Sequence, residues 1–189
     1  MSIRKTTVPA QRKFKLSPSL LSKKMTCPAF TPSPMSKHDW LLLMGIHALT
    51  VLKVITRHLA AGYMLERIEA KINNGRVDLI FGNTLVGRKR RVEVKSSKEI
   101  RLYAKYQASL YWNGKDEVVI SNSTADIVLS PEFMENAIEL AEETQALIAE
   151  HPEEAAKTFR PHEEVCRICS TCCPFLPSRK SFHNGKASK

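Results

Sequence analysis

A change of hydrophobic pattern at residue 63 most limits the folds open to this chain. Residues 39–61 form one long apolar stretch that predicts a buried helix stopping near Gly62. Beyond it, YMLERIEAKI (63–72) and RVDLIFG (76–82) flank the turn Asn73-Asn74-Gly75 and predict a β-hairpin. RVEVK (91–95), reached through a predicted GRKRR turn at 87–91, predicts a third strand. A helix followed by three strands indicates a mixed α/β domain.

The remaining segments complete this pattern. Ser17 and Pro18 are typical of a helix start, and this short helix is expected to end near Cys27-Pro28. Residues 101–112 return to helical spacing, while DEVVIS (116–121) and ADIVLS (125–130) predict two more strands. Residues 131–149 predict a last helix with one apolar side. The predicted fold class is therefore α/β, with a mixed central sheet flanked by helices.

Charge and composition indicate one domain with a polyphosphate partner. The 189 residues are 43% hydrophobic, enough for one compact core, and the net charge is +10. Residues 1–60 contain ten Lys or Arg and one acid, whereas residues 131–156 contain eight Glu and no Lys or Arg. We expect basic tails at 1–15 and 176–189 around a domain at 16–175. A solvated basic surface without a nucleic-acid partner is the simpler alternative.

No membrane or secretion signal is predicted. The longest apolar run, WLLLMGIHALTVL (40–52), is too short to span a bilayer, and no apolar segment follows Met1 as it would in a signal peptide. The sequence therefore predicts a cytoplasmic protein without a membrane partner.

Two acidic residues and a lysine on neighbouring predicted strands form a candidate metal site. Asp78 interrupts an apolar strand, and fourteen residues separate it from Glu93. If the two strands pair, both carboxylates meet at one place on the sheet, with Lys95 facing the same way. Mg²⁺ and Mn²⁺ favour such oxygen ligands, and a nearby ammonium suits the positioning of a nucleophilic water. Acids and lysines also alternate on many solvated strands, so the spacing alone is a weak signal.

With its neighbours, this pattern resembles the PD-(D/E)XK nucleases and, more narrowly, their RecB-like exonuclease branch. GRVDLI, VEVK and the pair Gln107 and Tyr111 in a Q-x3-Y pattern carry the resemblance. It implies a restriction-endonuclease-like fold and adds His47, in MGIHAL, to the metal ligands Asp78 and Glu93. It also implies that Val94 contributes its carbonyl. It further implies a catalytic role for Lys95, and it implies that Gln107 and Tyr111 hold the substrate strand of DNA. His47 and Tyr111 would also suit a protein core.

The cysteines predict a second inorganic site. CRICSTCC (166–173) contains the C-x2-C-x2-C spacing of Cys166, Cys169 and Cys172, which suits an iron–sulfur cluster, and four thiolates would satisfy Zn²⁺ equally well. Cys27 is the one distant candidate for a fourth ligand. Its segment LSPSLLSKKMTCPAF resembles the opening of CRISPR-associated RecB-like exonucleases, which implies a [4Fe–4S] cap joining residue 27 to residues 166–173. Those relatives space their last cysteine differently, so Cys173 stays open beside Cys172.

Taken together, these patterns predict a Mg²⁺- or Mn²⁺-dependent deoxyribonuclease, acting as an exonuclease on single-stranded DNA. A CRISPR-adaptation role, with partner proteins of that system, is part of what the resemblance implies. One alternative is a non-catalytic nucleic-acid-binding or adaptation-complex subunit on the same scaffold. Another is a structural zinc protein without enzymatic activity.

Overall fold

A computed structural model describes residues 13–72, 75–83, 87–170 and 173–175. Of the predicted tails at 1–15 and 176–189, residues 1–12 and all of 176–189 lie outside the described residues. The elements, in chain order, are α1 (Pro18–Thr26), α2 (Lys37–Ala60), β1 (Met64–Ile72), β2 (Gly75–Asn83), β3 (Arg88–Val94), α3 (Leu102–Ser109), β4 (Glu117–Ser121), β5 (Asp126–Val128), α4 (Pro131–Glu150), α5 (Pro152–Lys157) and α6 (Glu163–Cys166).

The strands form one five-stranded mixed sheet in the order β1-β2-β3-β4-β5. All neighbours pair antiparallel except β3 and β4, which are parallel and are connected through α3. Parallel neighbours need such a crossover, whereas antiparallel ones need only a turn. The predicted α/β class with a mixed central sheet and flanking helices is therefore confirmed.

The two faces of the sheet are covered by different helices. On one face, Val54 of α2 packs against a buried cluster from β2, β3 and β4. On the other, Ala108 of α3 packs against Val118 and Ile120 of β4, with α4 contributing Met134. Alternation along each strand thus decides which residues meet α2 and which meet α3. This alternation places the candidate site on the α3 side.

Helix α1 fills the space between α3 and α4. Leu21 and Met25 are buried against Leu110, Ala137 and Ala141. The Ser17 side chain caps the helix by accepting from the Leu20 N–H, as its sequence predicts. Pro18 approaches the hairpin so closely that a Cβ at Gly75 would come within 2.9 Å of its ring, and Gly75 has a φ of 150°. Glycine is favoured there for both reasons.

The prediction that residues 40–52 are buried is wrong. Only Thr50, Val54 and His58 of α2 are buried, all in its second half. Large apolar side chains between residues 40 and 49 are 42–63% exposed: Trp40, Leu41, Leu42, Leu43, Met44, Ile46 and Leu49. They occur at consecutive positions and so surround the helix, whereas packing on a sheet covers only one stripe. By length and composition alone, α2 also qualifies as a membrane-spanning helix, with 11% of its most apolar window buried.

Two further differences concern element limits. Strand β3 begins at Arg88, so residues predicted as a turn at 87–91 belong mostly to the strand, where Arg90 and Arg91 pair with Glu117 and Asp116. These ion pairs stabilise arginine side chains within the sheet. The turn prediction did not take such pairing into account. The short helices α5 and α6 were not predicted.

Candidate active site

Strand pairing brings Asp78 and Glu93 together. Leu79 of β2 and Val92 of β3 form the last pair of the antiparallel register, and Asp78 and Glu93 are the next residues of their strands beyond it. Glu93 pairs in turn with Ile120 of β4, whose side chain packs on the α3 side of the sheet. The two carboxylates therefore lie on one face, as the predicted metal site requires.

A buried hydrogen-bond network surrounds Glu93. Its Oε1 accepts from Lys95 Nζ at 2.6 Å and from Gln107 Nε2 at 2.6 Å. Lys95 Nζ also donates to Gln107 Oε1 at 2.8 Å, and Gln107 Nε2 lies 3.1 Å from the Tyr111 hydroxyl. Gln107 lies in α3, and Tyr111 follows one helical turn later, just beyond the end of that helix. Both side chains therefore reach the sheet from the same side. All four predicted residues meet here.

The network leaves one polar atom unsatisfied. Glu93 is 4% exposed, and its Oε2 has no hydrogen-bond partner among the described residues. Burial raises the pKa of Glu93 to about 7, while the neighbouring Lys95 opposes this rise and Asp78 adds to it. An unpaired carboxylate oxygen away from water is costly, and a bound cation is one of the few groups that would satisfy it.

The other two ionisable groups of the network respond to Glu93. Burial lowers the pKa of Lys95, but the Glu93 and Asp78 carboxylates outweigh burial and raise it overall, so the ammonium form is retained. Burial raises the pKa of Tyr111, and the Glu93 charge raises it further, so the phenol stays protonated. The site thus contains one fixed cation and one neutral hydroxyl beside two carboxylates.

His47 and Asp78 complete the predicted set. His47 Nε2 lies 3.8 Å from Asp78 Oδ1, and the adjacent Asp78 carboxylate raises the pKa of His47. Asp78 Oδ2 accepts the Val94 N–H at 2.6 Å, which fixes this carboxylate against β3. The described contact of Val94 at the site is therefore its N–H, and its carbonyl stays a predicted ligand.

Glu69 and Lys23 also belong to the site, although neither was predicted from the sequence. One ligand atom from each of His47, Glu69 and Asp78 lies within 4.8 Å of the others. The hairpin register could have indicated Glu69. Ile72 pairs with Gly75, and counting three residues away from the turn along each strand brings Glu69 opposite Asp78. Burial lowers the pKa of Lys23, and so does the positive charge of Lys95, which places a second ammonium near the network. No sequence spacing indicates Lys23, because it comes from α1.

The cysteine-bearing segments lie side by side. Cys27, Cys166 and Cys169 are buried, and Cys27 and Cys169 belong to one apolar cluster with Phe30 and Val165. Pro32 forms a bridge with Cys169, which joins the chain after α1 to the chain after α6. The Thr31 N–H lies 3.5 Å from Cys169 Sγ, and the His162 N–H lies 3.4 Å from Cys166 Sγ. Backbone donors of this kind are common around metal-bound sulfur.

The thiols are close enough to influence one another. Burial raises the pKa of the Cys166 thiol, and Cys173, Cys27 and Cys169 raise it further. No disulfide joins the four described cysteines, and no three of their sulfurs meet the 4.8 Å limit that the His47 group meets. The predicted ligand Cys172 lies outside the described residues. A bound cationic metal or cluster would favour the thiolate form that burial and the neighbouring cysteines disfavour at Cys166.

Comparisons with protein-family models, with curated proteins and with solved structures each find no match to this chain. The chemistry of the site must therefore be judged from its own residues.

Proposed function

We propose that this protein is a Mg²⁺- or Mn²⁺-dependent deoxyribonuclease that hydrolyses single-stranded DNA from an end. The observation that carries the proposal is the arrangement of the Glu93 carboxylate. Lys95 and Gln107 both donate to its Oε1, the charge of Asp78 acts on it, and its buried Oε2 has no partner among the described residues. Such a group is unfavourable as a core element but suits a cation site. The PD-(D/E)XK assignment, its RecB-like branch and the CRISPR context belong to the same proposal and rest on the sequence motifs.

The donor set fits a hard divalent cation. Asp78 and Glu93 would hold it through carboxylate oxygens, with His47 and the carbonyl of Val94 as further ligands. When bound, such an ion stabilises negative charge on a phosphate group and makes a water molecule a better nucleophile. The Val94 N–H, which donates to Asp78 Oδ2, would hold that carboxylate in place for this role.

The other residues have roles set by their contacts. Lys95 keeps its proton next to Glu93 and can donate a hydrogen bond to the attacking water or to a phosphate oxygen. Gln107 holds Lys95 and Glu93 together through its amide, and Tyr111 supports that amide. Lys23 adds positive charge close to Lys95, and the basic N-terminal third would add sequence-independent affinity that weakens as salt is raised.

A second function is favoured by one observation, the exposed apolar first half of α2. Exposed apolar patches of this kind mark interaction sites, so the chain would also suit a non-catalytic subunit that binds nucleic acid and docks to a partner protein. The cysteine site would hold a [4Fe–4S] cluster or Zn²⁺ in either case.

Cleavage of labelled single-stranded DNA with Mn²⁺ separates the two functions. Asp78→Asn keeps an oxygen that can accept the Val94 N–H, and Lys95→Met removes the ammonium, so both should lower cleavage by about 10²-fold or more without unfolding the protein. Glu139→Gln, at an exposed position of α4, is the matched control. Wild-type protein that binds the DNA but shows no metal-dependent cleavage would favour the docking subunit. Cleavage by Asp78→Asn at the wild-type rate would refute the proposed site.

A further inference from the structure

Glu69 occupies an unusual backbone position next to the candidate metal site. It is the one described non-glycine residue with positive φ, at 50°. Its neighbours Ile68 and Ala70 pair with Leu79 and Val77, so Glu69 lies opposite Asp78 on the adjacent strand. Glycine adopts such a conformation at least cost, yet the sequence has a long acidic side chain here. Unfavourable backbone conformations of this kind concentrate at functional sites.

The Glu69 carboxylate is close to two other metal-ligand side chains. One of its oxygens, His47 and Asp78 offer ligand atoms that all lie within 4.8 Å of one another. The three residues come from β1, α2 and β2, so their meeting depends on the fold and not on local sequence. Glu69 Oε2 is 3.7 Å from Arg76 Nη1, but both side chains are largely exposed, and exposed pairs of this kind contribute little.

An independent observation also indicates a cation here. Glu93, opposite Asp78 on its other side, is 4% exposed and has a buried Oε2 without a described partner. The charges of Asp78 and His47 both act on Glu93, which shows that it lies within the same electrostatic environment. His47 and Asp78 are thus close to Glu69 and also act on Glu93, while Lys95 is engaged by Glu93 and Gln107.

We infer that Glu69 is an additional ligand of the divalent metal, binding it together with His47 and Asp78 from the exposed side of the site. The inference rests on the proposed metal site and adds a ligand that the resemblance does not include. Mn²⁺ is the suitable probe, because it accepts carboxylate oxygens and tolerates an imidazole nitrogen better than Mg²⁺ does. Glu69 would close the metal shell on the side that Glu93 does not reach.

The test is direct Mn²⁺ binding by the full-length protein, measured from the electron paramagnetic resonance signal of free Mn²⁺. Glu69→Gln should weaken binding by about tenfold or more. Glu69→Gly should weaken binding equally while raising the thermal midpoint, because glycine relieves the positive φ. Glu66→Gln on the same strand, where Glu66 pairs with Lys89, is the matched control and should bind like wild type.

Four outcomes overturn the inference or support it. If Glu69→Gln or Glu69→Gly binds Mn²⁺ as tightly as wild type, Glu69 is not a ligand. If Asp78→Asn also binds as wild type does, the whole metal site is wrong. DNA cleavage by the same samples separates the two proposals. If the wild-type protein cleaves DNA and Glu69→Gln binds Mn²⁺ as tightly as wild type, only the ligand inference is refuted. If Glu69→Gln binds Mn²⁺ more weakly but the wild-type protein does not cleave DNA, Glu69 is supported as a ligand and the nuclease proposal is refuted.

Discussion

Replacing Glu93 by glutamine should stabilise the metal-free protein, and only at neutral to alkaline pH. Glu93 is buried, its Oε1 already accepts two hydrogen bonds, and its Oε2 has no described partner. A glutamine at this position keeps an oxygen that can accept the Lys95 and Gln107 donors. It removes the negative charge that burial makes unfavourable.

The magnitude follows from the pKa. Burial raises the pKa of Glu93 from 4.5 to about 7, and each pKa unit corresponds to about 1.4 kcal/mol. Below pH 4.5 the Glu93 carboxyl is protonated in both the folded and the unfolded chain, so the free energy of unfolding keeps its full value. Between 4.5 and 7 only the unfolded chain ionises, and stability falls as pH rises. Above pH 7 the wild type has therefore lost about 3 kcal/mol that Glu93→Gln retains.

Urea unfolding of both proteins at pH 5 and pH 8, in EDTA, measures this difference. Glu93→Gln and wild type should differ little at pH 5, where Glu93 has lost only a small part of that stability. At pH 8 the variant should be more stable by about 3 kcal/mol, which corresponds to roughly 6 to 12 °C in thermal midpoint for a chain of this size. Glu139→Gln, an exposed acid on α4, should show no such dependence on pH.

The result that would refute this reasoning is an equal difference between variant and wild type at both pH values. It would mean that ionised Glu93 is as well solvated or paired in the folded protein as in water, and the case for a cation at its Oε2 would disappear. Added Mn²⁺ gives a further check, because it should stabilise wild type at pH 8 more than the variant.

Two other regions give predictions of their own. Arg57 donates to Asp126 Oδ2 at 2.9 Å and to the Asn122 carbonyl at 3.0 Å, so Arg57→Ala should lower the free energy of unfolding by about 1 to 3 kcal/mol in urea titrations. Arg57→Lys should recover only part of it, and full recovery would show that the forked geometry is unimportant. Cys169→Ser should reduce bound iron or zinc, measured by elemental analysis and visible absorbance, and Cys173→Ser should do so only if it is the fourth ligand. Unchanged metal content in Cys169→Ser would contradict the cysteine site.

The convergence of the site could be predicted because it depends on a short hairpin and on alternation. Asp78 and Glu93 come from neighbouring antiparallel strands, so their meeting needs only the correct register. Gln107 and Tyr111 follow from helical spacing in α3. Glu69 was missed although it lies symmetrically to Asp78 about the hairpin turn, since a prediction that treats β1 as regular gives no reason to single out that residue.

Other parts of the structure depend on contacts that sequence spacing does not encode. Lys23 lies on α1, which is far from β2 and β3 along the chain. It approaches Lys95 because α1 packs across α3. The first half of α2 was expected to be buried because it is apolar. Its apolar residues surround the helix, however, and the sheet can cover only the stripe that contains Val54 and His58.

Several costs to stability occur within this one group of side chains. Glu93 and Lys95 form a buried ion pair, and such pairs repay their desolvation poorly. The Glu93 Oε2 is unsatisfied, and Glu69 has a backbone conformation that glycine would adopt more easily. Most of the buried core around them is apolar. Proteins tolerate local violations of packing and hydrogen bonding mainly where function requires them. Because these costs occur within one group of side chains, and a cation would satisfy the Glu93 Oε2, metal binding explains the arrangement better than fold stability does.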